Sequence, residues 1–187
     1  MLLDAGRILP AAELTALSDA VEEEASMSTV GDRLLGRVGE DQLFVGFRIG
    51  DEEFGVPIQY VQEIIWLPEI TRVPRTPPFI EGIINLRGNV LPVIDLRKRF
   101  GMPAKHATES TSIVVVDIDG HRSGVIVDEV SEVRRLALDA IEPPPAVAGS
   151  IDTSFVKGIG KLDGGSRMLM ILDLDGIVAV NETSATA

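Results

Sequence analysis

The sequence has no cysteine. That single absence excludes a disulfide scaffold, a cysteine-ligated zinc site, an iron–sulfur cluster and a thiol nucleophile, and it fits a reducing compartment. Histidine is nearly absent as well. His106 and His121 each stand in a polar, turn-like stretch without a second histidine at ligand spacing, so both read as surface positions. Basic residues are outnumbered 29 to 17, a net charge of −12, which is the wrong sign for a chain that must neutralise phosphates. No nucleic-acid partner is expected. Long apolar runs are missing too: Ile113 to Val116 and Met168 to Leu172 are far short of the ~20 residues of a membrane helix. The opening MLLDAGRILP has neither the basic flank nor the apolar core of a secretory signal. The reading is a cytoplasmic protein with no direct membrane insertion, and Asn181-Glu182-Thr183 is then a chance glycosylation match.

What is present is an ordinary globular balance, 45% apolar and 25% charged over 187 residues. That is enough chain to bury a core without staples. The character changes near residue 40. Residues 1–40 carry eight acids against three arginines and read as an acidic extension. Within it, Pro10 and the following AAELTALSDAVEEEA predict a short helix with Leu14, Leu17 and Val21 on one face. It is either loosely attached or a docking helix for a partner or a second copy. Valine and isoleucine total 38 against only eight aromatics, nearly all beyond residue 40, where glycines punctuate short alternating runs. Leu43, Val45, Phe47 and Ile49 alternate before Gly50-Asp51, and Ile113 to Ile118 precedes Asp119-Gly120, a hairpin signal. These patterns predict a mainly all-β fold of small barrels.

The chain also repeats itself. Residues 44–64 align without a gap on residues 113–133, matching Phe47 to Val116, Gly55 to Gly124, Val61 to Val130 and Glu63 to Glu132. Phe79-Ile80-Glu81-Gly82-Ile83 matches Phe155-Val156-Lys157-Gly158-Ile159, and Val93 to Leu96 matches Ile171 to Leu174. Two copies of one β-rich unit predict two lobes of about 43–100 and 112–178, intertwined and sharing a core. A groove between lobes is a natural place for a partner.

Candidate chemistry is thin. Ser154-Phe155-Val156-Lys157 fits the S-x-x-K of serine acyl-enzymes, but no S-D-N or K-T-G accompanies it, and Lys157 replaces Glu81 within the repeat. A hydrolase using Ser154 and Lys157 is the remote alternative. Gly158-Ile159-Gly160 does not complete a phosphate loop. Asp95 and Asp173 occupy equivalent positions and read as acceptors of backbone N–H groups in the turns that follow. Asp51-Glu52-Glu53 reads as a solvated hairpin tip. No catalytic residue, cofactor or metal is expected. What stands out is a charge contrast: Arg72, Arg75, Arg87, Arg97, Lys98 and Arg99 against Glu81 and Asp95, a positive stretch in an acidic protein. Within it, Asn85-Leu86-Arg87-Gly88 presents Arg87 on a turn, an anchor for a protein carboxylate.

These residues resemble a known family. Phe79 to Gly88 followed by Leu91-Pro92-Val93-Ile94-Asp95-Leu96 resembles the signature of CheW, the bacterial chemotaxis coupling protein. Asp51 to Val56, Val61 to Ile64, Thr76-Pro77-Pro78 and Arg167 to Asp173 are similar in the right order. The resemblance implies two five-stranded SH3-like barrels and a non-enzymatic adaptor between the cytoplasmic tips of chemoreceptors and the regulatory domain of the histidine kinase CheA. It implies receptor contact through Val61, Glu63, Arg87 and Val114, with Gly82 and Gly88 shaping the turns, and kinase contact through exposed strand ends of the first lobe. The motif does not fix the kinase-contact residues; the stretch from Ile64 to Val73, with Ile64, Ile65, Ile70 and Val73, is the candidate. A role in a related system such as pilus motility, or as a kinase-binding competitor, uses the same fold.

Overall fold

Short β-branched runs separated by tight turns make strands rather than helices. The computed structural model describes residues 41–144 and 152–179; the helix predicted after Pro10, the rest of the acidic extension and the tail at 181–187 lie outside the described residues. The first half supplies β1 (Asp41–Ile49), β2 (Glu52–Pro57), β3 (Val61–Trp66), β4 (Ile80–Leu86), β5 (Asn89–Asp95) and a one-turn helix α1 (Leu96–Arg99). The second supplies β6 (Ser112–Ile118), β7 (His121–Val127), β8 (Glu129–Ala137), the two-residue β9 (Ile141–Glu142), β10 (Val156–Leu162), β11 (Arg167–Leu172) and α2 (Leu174–Val178). The all-β reading holds.

The strands form a five-stranded sheet, β3-β6-β7-β5-β4, and a six-stranded sheet, β8-β1-β2-β11-β10-β9. Neither sheet comes from one half of the chain. The first hairpin of each repeat leaves its own copy and pairs with the other copy's strands. The exchange keeps the repeat register. Val61 pairs with Val116 and, equivalently, Val130 with Phe47. The parallel contacts Val93 with Gly124 and Ile171 with Gly55 are also equivalent, as are the bulges between Ile80 and Gly82 and between Val156 and Gly158.

This exchange explains the burial pattern. Each lobe has its own interior, built around Ile84, Leu91, Ile113 and Val115 in one and Phe44, Leu136, Leu169 and Ile171 in the other. Between them lies a third, larger core containing Val45, Phe47, Ile49, Phe54, Val114, Val116 and Ile118. On β6, Ile113 and Val115 point into the lobe while Val114 and Val116 point into the shared core. A strand buried on both faces must be apolar at every position, which is why Ile113 to Val116 forms an unbroken run. Each such side chain removed from water contributes about 1.5–3 kcal/mol, so the exchanged hairpins hold the lobes together.

Candidate partner-binding site

The residues singled out by sequence cluster on the five-stranded lobe. β4 and β5 are joined by Arg87, at φ 51°, and Gly88, at φ 87°. Two consecutive left-handed residues form the tight hairpin turn whose twist matches the flanking strands. Glycine takes this conformation freely, whereas Arg87 is held in it by its surroundings. Asn85 Oδ1 accepts the Gly88 N–H at 2.9 Å, bracing the turn, and Arg87 donates twice to Glu63 of β3, at 3.1 and 2.9 Å. The Glu63 side chain is only 10% exposed and Arg87 is 64% exposed. A nearly buried carboxylate thus fixes a guanidinium that still faces solvent. Bidentate pairing sets direction as well as distance, so the arginine is a cation of fixed aim.

Gly82 supports this hairpin from its other end. Its φ is 152°, and a Cβ there would collide with the carbonyl oxygen of Thr71. Thr71 bridges Ile83 through N–H···O bonds of 2.9 and 2.8 Å, so the chain after β3 lies hard against β4. Only glycine permits that approach.

The apolar candidates are mostly behind the surface. Val114 has no exposure and Val61 only 8%, and both belong to the shared core. They shape the site from beneath, and Val114 offers no area for direct contact. Ile64 and Ile65 are likewise buried, at 7% and 6%, while Ile70 and Val73, on the segment after β3, are half-buried. Val90 beside the turn is 64% exposed and is an apolar position that sequence reading passed over; its place in the strand alternation opposite buried Leu91 would have marked it.

The positive stretch divides. Arg72, Arg75 and Arg87 are exposed. Lys98 pairs with Glu81, and Arg97 grips Asp128 at the end of β7, its Nε donating to Oδ1 at 2.9 Å. Asp128 also accepts the Gly50 N–H at 3.0 Å, tying the β1–β2 turn to the other lobe. The Arg97 guanidinium holds the Asp128 carboxyl down at about 2, against the cost of burial. Arg99 lies 4.0 Å over the Phe79 ring and 4.9 Å over Phe155, two equivalent phenylalanines, and donates to the Gly176 and Ala179 carbonyls. Burial lowers its pKa. Half of the basic stretch is therefore internal bracing.

The carboxylate candidates behave as turn residues, unequally. Asp95 caps α1 by accepting from the Arg97 and Lys98 N–H groups, while burial raises its pKa. Asp173 makes no such side-chain bond. The Asp51-Glu52-Glu53 tip is less solvated than expected: the Glu53 side chain is 10% exposed and pairs with Arg167 and Arg134, and only Asp51 is exposed. Ser154 sits exposed in a turn, its N–H bound to Asp152, and Lys157 is exposed on β10. Among the described residues no group of three or more metal-binding side chains forms a cluster, and no helix is long and apolar enough to cross a membrane.

The chain has counterparts among known proteins. Residues 43–182 match the CheW-like domain. The chain belongs to the CheW-like family. It is 36% identical to the chemotaxis protein CheW of Klebsiella aerogenes over 84% of this chain and 93% of that protein. Identity to the chemotaxis protein CheW of Helicobacter pylori is 38%, over 72% and 80% of the two chains. The scaffolding protein TtCheW from Thermoanaerobacter tengcongensis is similar in structure, with a TM-score of 0.69 and 42% identity over 79% of this chain and 92% of that one. As a CheW-like protein the chain is a chemotaxis-type scaffold, and its two sheets are the two SH3-like lobes of the family.

Proposed function

We propose that this CheW-like chain works without catalysis, in the cytoplasm, as a coupler that holds the regulatory domain of a CheA-type histidine kinase to the cytoplasmic tips of chemoreceptors. The Arg87–Glu63 arrangement carries this reading. It provides a rigid, outward-facing cation on a β-turn, which suits recognition of a protein carboxylate. Val61, Gly82 and Val114 set the shape of this receptor-facing site from below, Gly88 shapes the turn itself, and the segment from Ile64 and Ile65 to Ile70 and Val73 is the kinase-facing side. Two interfaces on one braced body let a small receptor movement bias the kinase between its states. Clustering supplies avidity where each contact alone is modest.

Titration calorimetry against a cognate kinase regulatory domain and a receptor cytoplasmic fragment tests it. Binding of both, separately and together, is expected, with Arg87→Ala weakening receptor binding about tenfold while sparing the kinase. Unchanged receptor binding in Arg87→Ala would remove that residue from the site. Binding the kinase alone would favour a competitor, and binding neither would overturn the coupling reading.

A further inference from the structure

The exchanged fold gives each lobe an equivalent outer surface, so each lobe is an internal control for the other. On the six-stranded lobe, a cleft of about 440 Å³ opens over β2, β11 and β10, towards the β10 side of the sheet and away from β8. Its floor is Ile159, Met168 and Met170, and its rim is Asp51, Glu52 and Glu53 with Arg167. Met168 is 59% exposed. At the equivalent positions the other lobe has Val90 and Pro92 in place of the methionines, and Gly120, His121 and Arg122 in place of the three acids. The methionines and carboxylates belong to one copy only, so the repeated architecture does not require them.

Asp51 and Glu52 are less engaged than Glu53, although the Asp51 charge reaches Arg97 and helps raise its pKa. Arg167 and Arg134 occupy Glu53, but Asp51 is exposed and Glu52 Oε2 is buried with no hydrogen-bond partner among the described residues. A buried carboxylate oxygen without a donor loses hydration that an incoming cation would replace. The adjoining methionines are flexible and polarizable, the side chains that adapt to varied apolar groups. We infer that this cleft docks a partner segment that carries arginine or lysine beside an apolar anchor, at a site separate from the Arg87 turn. The cation meets Glu52 and Asp51, and the anchor seats on Met168 and Met170. Charge selects this occupant. The chain's own residues 1–40 are strongly acidic, and a second copy brings a net charge of −12 towards the same rim.

The test uses the full-length protein and a fluorescein-labelled peptide Arg-Leu-Arg-Leu-Arg, with Glu-Leu-Glu-Leu-Glu as its counterpart, read by fluorescence anisotropy at low and high salt. Saturable, salt-weakened binding of the cationic peptide alone is expected. Glu52→Gln and Met168→Ser should each weaken it about five- to tenfold, and Val90→Ser, at the equivalent exposed position of the other lobe, less than about twofold. Equal binding to the Met168→Ser variant would mean general attraction to an acidic protein and would overturn the proposal. So would displacement of the probe by a synthetic peptide of residues 11–25. Self-association in sedimentation velocity that Met168→Ser abolishes would assign the cleft to a second copy, with the same consequence. None of these outcomes involves Arg87, so they leave the coupling reading untouched.

Discussion

The β4–β5 turn of one lobe and the β10–β11 turn of the other begin from the same plan and end with opposite uses of charge. The first is two residues long and gives its arginine to a single, nearly buried carboxylate, leaving the guanidinium outward. The second is longer, passing through Asp163, Gly164 and Gly165 at positive φ, and its Arg167 is drawn between Glu53 and Asp163. A duplicated unit conserves what the fold needs, namely the strand order, the bulges and the parallel contact across the exchanged hairpins. What differs between the copies is free to be functional. Four pairs of positions, one from each copy, should respond differently to substitution.

The greatest contrast is expected at the paired bulge glycines. A methyl at Gly82 meets the Thr71 backbone and forces a left-handed φ on alanine, whereas at Gly158 it meets the Ile141 Cγ2 methyl at 2.5 Å and the Glu142 carbonyl oxygen only at 3.1 Å. Backbone cannot yield as a side chain can. Gly82→Ala should cost about 3 kcal/mol or more in denaturant unfolding, and Gly158→Ala about 1 kcal/mol. Equal costs would show that the two bulges are interchangeable.

Next comes the Arg97–Asp128 brace, which one copy has and the other lacks, since Gln59 stands where Asp128 would be and is exposed. Asp128 titrates at about 2 against 3.8. A depressed carboxylate gives stability that is present above pH 4 and lost as the pH falls towards 2, here about 2 kcal/mol. Urea unfolding across that window should show the loss, and Asp128→Asn should lower stability at neutral pH and flatten the acid limb. Gln59→Ala should stay within about 0.5 kcal/mol. A smaller difference, about 1 kcal/mol, is expected between Asp95→Ala, which removes a cap, and Asp173→Ala, which removes none.

Much of this was legible in the sequence, and the illegible part has a definite physical cause. Alternation and turn residues located β1, β6 and β7, and the repeat disclosed two lobes with a common core. The repeat cannot say which copy of a strand pairs with which, because both pairings satisfy the same pattern. The unbroken run at Ile113 to Val116 carried the missing information, since burial on both faces places its hairpin between lobes. Arg87 could be seen on its turn, but its partner Glu63 lies 24 residues away on β3. Side-chain pairing between strands that are distant in sequence depends on barrel closure, which no local pattern records. The same holds for Asp128 with Arg97, and for Glu53, whose position in an acidic run suggested solvent although its partners come from β8 and β11.

The smallest energetic effect is expected at the Arg87–Glu63 pair, and there the comparison matters most for function. With Arg87 64% exposed, water screens its charge, so a double-mutant cycle of Arg87→Ala and Glu63→Ala should give a coupling of about 0.5–1 kcal/mol in unfolding. An arginine kept for stability would repay its removal with a loss of that size and nothing more. An arginine kept as an anchor would leave the fold nearly unchanged and lose receptor affinity by a factor far beyond its stability cost. Arg167→Ala in the other lobe supplies the reference, because its guanidinium is already engaged by Glu53 and Asp163. If both arginines lower receptor binding alike, the outward cation is not the feature that distinguishes the lobes; if only Arg87 does, the divergence of the two turns is a division of labour.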